Sequence, residues 1–223
     1  MDKTDIVLFV SGFCIYGCEV NYYMNRIAKF EKVSLKRWTE DFLKQFGADI
    51  CSEKYEAHCL SAATRKGDDS AAKADEEYVS LLREAETKYE EIKLPKRATA
   101  GSAGYDICTP IDICLKPGES IKIPTGIRAS MREDYCLFIM PRSGLGSKFR
   151  FQLNNTVGVI DSDYYYSDNE GHIFVPMIND SRDGKTVELK AGTAFVQAIF
   201  CPFGITEDDD ATASRNGGFG STG

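Results

Sequence analysis

The apolar pattern of this chain changes period near residue 94, and that change decides what it can fold into. Before it the spacing is helical. Leu35, Trp38, Phe42, Leu43 and Phe46 fall on one face, with Ser34 placed to cap the run and Gly47 to end it. A second run begins at Asp75, where Glu76 and Glu77 suit the positive end of a helix. Tyr78, Leu81, Leu82, Ala85, Tyr89 and Ile92 make its apolar stripe. From Pro95 onward the period is that of strands. Ile111, Ile113 and Leu115 alternate, Pro117-Gly118 turns the chain, Ile121 and Ile123 alternate, and Pro124-Thr125-Gly126 turns it again. Tyr135 to Met140 and Ala194 to Phe200 read as buried strands. Short strands broken by closely spaced turn signals predict an all-β sandwich or barrel.

The chain divides into three regions. Residues 1–93 form an N-terminal region with helices and a first strand at 26–33, and with a loop over Ser61–Ala74; the first 25 residues find no place in it. Residues 94–206 form the β domain. Residues 207–223 open on the charge run Glu207-Asp-Asp-Asp210 and hold one large apolar residue, Phe219. Such a segment buries too little surface to fold alone and is expected to be a flexible arm.

The chain carries 27 basic and 34 acidic residues, a net charge of -7, which argues against binding a nucleic-acid polymer. The apolar stretch Ile6–Val20 is flanked by Asp2 and Asp5, where a signal peptide would carry positive charge. It is also shorter than the roughly 20 residues a membrane span needs. The expected location is cytoplasmic, away from any membrane, with the 8 cysteines reduced. Cys14/Cys18 and Cys51/His58/Cys59 have spacings that zinc uses, but buried free thiols are the commoner reading.

Chemistry-bearing residues fall in five segments. Gly218–Gly223 has the spacing G-x-G-x-x-G, but no helix comes after it, so the dinucleotide-binding reading fails. Its glycines, Gly220 among them, still let a phosphate approach, Ser221 and Thr222 supply hydroxyls, Arg215 a charged fork, and Phe219 a flat face. Pro141-Arg-Ser-Gly-Leu-Gly146 reads as an anion-binding turn built on Arg142, Ser143 and Gly144, or as a plain strand-ending turn. Gly158-Val-Ile-Asp-Ser-Asp-Tyr164 presents two carboxylates and an aromatic ring after an apolar run, or else an Asx turn with solvated acids. Asp106 comes after a glycine-rich entry to the β region, and Gln197 is a lone amide in an apolar strand.

The pieces PKRATAGSAGYD (95–106), PRSGLG (141–146), NNTVGVIDSDYY (154–165), AFVQAIF (194–200) and RNGGFGSTG (215–223), in this order, resemble the homotrimeric dUTP pyrophosphatases, or dUTPases. The resemblance covers roughly residues 95–223, with RIAKFEKVS as the first strand. It implies a mainly β fold, a dUTPase-like jelly roll (β-clip) carrying an α-helical N-terminal extension, in a homotrimer with shared active sites. It implies hydrolysis of dUTP to dUMP and pyrophosphate, which keeps uracil out of DNA and supplies dUMP for dTMP synthesis. Asp161 would activate the attacking water. Asn155 and the backbone at Gly158 would read uracil, and Tyr164 would lie against the deoxyribose. Arg142, Ser143, Gly144 and Gln197 would hold the phosphate chain. Arg215, Gly220, Ser221 and Thr222 would clamp its end while Phe219 covers the base. Mg²⁺ would ride on the triphosphate, with Asp106 reaching it through water.

Two departures stand out. Tyr165–Gly171 lengthens the loop after the catalytic segment, and residues 1–93 exceed what the family needs. They leave two other readings: a dCTP deaminase relative using Glu170 as base, and a nucleotide-sensing regulatory protein that docks a partner through its N-terminal region.

Overall fold

The computed structural model describes residues 5–10, 13–19, 26–47 and 69–213, with the backbone alone for 5–10, 13–19, 69–75 and 77. Strand β1 (Asp5–Val10) and β2 (Phe13–Glu19) form an antiparallel hairpin, which gives part of the first 25 residues a structure the pattern did not assign. Cys14 and Cys18 lie on β2, whereas Cys51, His58 and Cys59 fall outside the described residues. Among the described residues no helix is long and apolar enough to cross a membrane. Strand β3 (Ala28–Lys32), expected at 26–33, pairs antiparallel with β8 (Ile127–Met131).

Helix α1 runs Leu35–Phe46. Ser34 caps it, its hydroxyl accepting the Arg37 N–H at 3.1 Å, and the Gly47 N–H closes it on the Leu43 carbonyl at 2.7 Å. Helix α2 runs Asp69–Glu91. It starts before the expected Asp75, so the loop expected over Ser61–Ala74 is helix from residue 69, while 61–68 lie outside the described residues. Ala71, Ala72 and Ala74 explain the early start: alanine favours helix without adding to an apolar stripe. Trp38 and Phe42 of α1 are 0% and 2% exposed, and the Trp38 Nε1–H donates to the Ala85 carbonyl of α2 at 2.7 Å. Trp38→Ala removes both the packing and that bond. It is expected to cost about 3–5 kcal/mol, read as a lowered midpoint in urea unfolding with the m-value unchanged.

The β region is built from antiparallel pairings. A five-stranded sheet has the order β11 (Gly158–Ile160), β9 (Tyr135–Pro141), β14 (Ala194–Pro202), β5 (Tyr105–Cys108) and β4 (Lys96–Arg97). A three-stranded sheet has the order β10 (Phe151–Leu153), β12 (Phe174–Asn179) and β7 (Ser120–Pro124). Strands β6 (Ile113–Leu115) and β13 (Val187–Leu189) pair beside them. Ile107, Leu137, Ile139 and Phe195 from the first sheet bury with Ile123, Phe151, Val175 and Met177 from the second. The result is mainly β, with jelly-roll-like sheets. Val33, Trp38, Phe42 and Ala85 belong to the same buried cluster, so the helices extend this core.

Candidate functional site

Gln197 of β14 is the Cα partner of Asp106 on β5 and of Met140 on β9. Directly opposed residues of neighbouring strands share a face, so an amide and a carboxylate come side by side. Gly104 makes the approach possible. A Cβ there would lie 2.6 Å from Gln197 Oε1. Strand β9 ends at Pro141, and its continuation brings Arg142 to the same end of the sheet. The Arg142 N–H donates to the Phe195 carbonyl at 3.2 Å, and Arg142 Nε lies 3.3 Å from Asp106 Oδ1.

The segment read as a turn after Arg142 is a short helix, α3 (Ser143–Phe149), with Arg142 as its N-cap residue. Two glycines disguised it in the sequence. The helical start changes the physics of the site: the first N–H groups of a helix, those of Ser143 and Gly144, have no carbonyl within it to bond. They point outward as anion donors beside the Arg142 guanidinium. Arg142, Ser143, Gly144, Asp106 and Gln197 are therefore one cluster suited to phosphates. Asp106 supplies this cluster with one carboxylate, 29% exposed. A single carboxylate beside a phosphate-binding cluster fits Mg²⁺, which prefers phosphate and water oxygens to a protein cage.

The other expected residues lie elsewhere. Asn155 and Gly158 belong to the turn and strand start by which the chain passes from β10 in the three-stranded sheet to β11 in the five-stranded one. The turn is closed by Thr156 N–H on the Leu153 carbonyl at 3.0 Å, with Thr156 at φ 69°. Gly158 pairs with Ile139, and a Cβ at Gly158 would press on the Ile139 Cβ at 3.3 Å. From there β11 runs antiparallel to β9, so Ile160 reaches Leu137 and Asp161 comes level with Cys136. Burial, then the neighbouring Cys201 and Asp161, push the Cys136 thiol above its ordinary pKa.

Asp161 is exposed and opens a 3-10 turn over Ser162–Tyr166. The Tyr164 N–H donates to the Asp161 carbonyl at 3.2 Å. Tyr164 itself is 4% exposed, and its hydroxyl donates to the His172 carbonyl at 2.7 Å. A groove beside Asp161 is lined by Met131, Glu133, Ser162, Asp163, Tyr166 and Phe203. Glu170, the base that a deaminase reading needs, is engaged elsewhere. Its carboxylate accepts the Ser34 N–H at 2.8 Å and the Ser34 hydroxyl at 2.6 Å. Burial works to raise its pKa, but these bonds prevail and hold it below the ordinary range.

Asp161 and the phosphate cluster thus occupy opposite ends of the sheet. The levels of Cys136 and Arg142 on the β9 path are separated by roughly 20 Å of extended chain, at about 3.3 Å per residue. Arg215, Phe219, Gly220, Ser221 and Thr222 lie outside the described residues. The pattern reading did not find His172 and Asn169, which bond the Tyr164 hydroxyl, or Asp41, which bonds His172; they are far apart in sequence or set among other polar residues, and only the fold brings them together.

A family model described as dUTPase matches residues 90–223. The deoxyuridine 5'-triphosphate nucleotidohydrolase of Lactococcus lactis subsp. lactis is 43% identical over 145 residues, covering 63% of this chain and 95% of that protein. The protein of the same name from Tolumonas auensis is 40% identical over 141 residues, covering 60% and 89%. Among solved structures, a dUTPase from Streptococcus mutans aligns with a TM-score of 0.48 and 42% identity over 52% of this chain and 91% of that one.

Proposed function

The chain belongs to the dUTPase family, and we propose that it hydrolyses dUTP to dUMP and pyrophosphate in active sites assembled between copies of itself. The observation that carries this reading is the separation of Asp161 from the Arg142–Asp106–Gln197 cluster. A general base acts within about 2.6–3.2 Å of the proton it takes, or through one water. Phosphates held by Arg142 are therefore out of reach of the same chain's Asp161. A second copy, bringing its cluster to the groove at Asp161, completes the constellation. Exposed apolar side chains around that groove support such an assembly: Tyr166 is 82% exposed and Phe203 48%. A homotrimer, with the tail of a third copy closing over the substrate, accommodates every part.

The chemistry then divides by segment. The turn before β11 and the strand's first residue carry uracil reading, through Asn155 and the Gly158 backbone, and the base comes just after its end. Gly158 and Asp161 are about 10 Å apart along extended chain, room for a nucleoside to lie along the strand. Asp161 orients a water and takes its proton as the oxygen attacks the α-phosphorus. The α-phosphorus–oxygen bond to the β-phosphate breaks, and pyrophosphate leaves. Arg142, the N–H groups of Ser143 and Gly144, and Gln197 stabilise the charge on the phosphate oxygens. When bound on the triphosphate, Mg²⁺ neutralises part of that charge, and Asp106 would hold it through water. Arg215, Ser221 and Thr222 clamp the terminal phosphate, Gly220 lets the chain approach it, and Phe219 covers the base, which excludes bulk water. Tyr164 lies against the deoxyribose, where its ring leaves no room for a 2'-hydroxyl.

Pyrophosphate release by the purified full chain with Mg²⁺, from dUTP, dTTP, dCTP and UTP in parallel, tests this. Release is expected from dUTP, with the other three at least about 10²-fold slower in kcat/KM, as a site that leaves polar groups unpaired with the wrong substrate discriminates. Ammonia from dCTP would establish the deaminase reading instead. A folded protein that releases pyrophosphate from none of the four would overturn the hydrolase and favour a nucleotide-sensing role.

A further inference from the structure

The lengthened loop and the added helices meet at a single buried point. His172 stands just past the loop and is 0% exposed. Its Nε2 lies 2.8 Å from the Gly126 N–H. That group can only donate, so Nε2 accepts and the ring proton sits on Nδ1. Nδ1–H donates to the Asp41 carboxylate of α1 at 2.6 Å. Burial lowers the His172 pKa from the ordinary 6.5 while Asp41 works against it, which agrees with a neutral ring; Arg37 and Glu170 are the other charged groups that face it.

With both nitrogens engaged, and the ring packed on Phe174 at 4.5 Å between centroids, the side chain fixes its own backbone. The His172 N–H closes a turn on the Asn169 carbonyl at 3.1 Å. The His172 carbonyl accepts the Tyr164 hydroxyl at 2.7 Å. The Asn169 side-chain amide donates to the same Tyr164 oxygen at 2.8 Å. A second tie runs beside it, from Ser34 at the start of α1 to Glu170 in the loop.

We propose that Asp41 and His172 are positioning residues for substrate selection: they hold the His172 carbonyl and the Asn169 turn on which the Tyr164 hydroxyl hangs, and so fix the ring that excludes a 2'-hydroxyl. Asp41 lies outside the residues the family model matches and His172 inside them. The added helix thereby sets the position of a wall in the family's own site. The inference rests on the reading of Tyr164 as the deoxyribose wall, and it gives the lengthened loop a role: it is the dock for α1.

The readout is the ratio of kcat/KM for dUTP to that for UTP. Asp41→Asn keeps the shape of the buried pair and removes its charge. Asn169→Ala, in the loop, removes the amide's bonds to the Tyr164 oxygen, the His172 carbonyl and the Gly171 N–H while leaving the helix side chains in place. Both are expected to lower the ratio by about tenfold or more, chiefly through improved use of UTP. Tyr89→Phe serves as the control. It deletes the hydroxyl bond from α2 to the Val33 carbonyl, 2.8 Å long, so it loosens the helices without touching Tyr164, and its ratio is expected to stay at the wild-type value. Tyr164→Leu completes the set and is expected to lower the ratio most. A ratio lowered by Tyr164→Leu but unchanged by Asp41→Asn and Asn169→Ala would overturn the positioning role alone. A ratio unchanged by Tyr164→Leu would bring down the reading of Tyr164 and this inference with it. A ratio lowered equally by Tyr89→Phe would reduce the effect to general loosening and overturn the proposal.

Discussion

Asp161→Asn is expected to lower kcat for dUTP by about 10²–10⁴-fold, the contribution of a positioned general base, with little change in KM. The substitution keeps the side chain's size and one oxygen that can orient water, and removes its negative charge and with it the capacity to take a proton. Asp161 is exposed at the end of β11 and opens the 3-10 turn with its backbone rather than a side-chain cap. At an exposed position this near-isosteric exchange is expected to leave the melting temperature within a few degrees. Single-turnover pyrophosphate release separates chemistry from binding. A variant that binds a non-hydrolysable dUTP analogue as the wild type does, yet fails to turn over, assigns the base. A variant with full kcat would remove Asp161 from the reaction.

The second large effect needs two inactive proteins. Arg142→Ala removes a phosphate clamp and is expected to cost about 10²–10³-fold in kcat. If each site draws its base from one copy and its clamp from another, unfolding and refolding this variant with Asp161→Asn in equal amounts must restore activity. Random assortment in a symmetric assembly pairs an intact base with an intact clamp in about a quarter of sites. Either variant refolded alone stays inactive. Mixed assemblies that form, as seen by native mass spectrometry, and regain nothing would place base and clamp in one chain. That result would contradict the roughly 20 Å between their levels along β9.

Much of the frame was legible from local pattern. Ser34 and Gly47 bracket α1 because capping is local chemistry, and the alternation of Ile113, Leu115, Ile121 and Ile123 marks β6 and β7 for the same reason. The early start of α2 was hidden because alanines form helix without forming a stripe. The helix after Arg142 was hidden by Gly144 and Gly146, whose residue type signals a turn and whose helical conformation is set by the fold around them. Motif order brought the family into view. It did not say that Asp106, Arg142 and Gln197 meet while Asp161 stands apart, because that depends on strand order and register. Least visible of all was the Asp41–His172 pair. The partners are 131 residues apart, and nothing in the neighbourhood of either one announces the other.

That pair has a consequence for anyone wishing to trim this protein to a minimal enzyme. Cutting at residue 90, where the family match begins, deletes Asp41 and leaves a histidine with an unanswered N–H in place of a buried bond. It also strips Trp38 from the turn at Gly126, whose Cα is packed so closely that a Cβ would lie 2.2 Å from Ile92 Cδ1 and 3.2 Å from the Trp38 ring. The shortened chain would need position 172 and the turn at 126 redesigned together. Its extra helices are not a fusion that can be unclipped, and a loop grafted from a relative without them would bring a surface made for water to a place made for tryptophan.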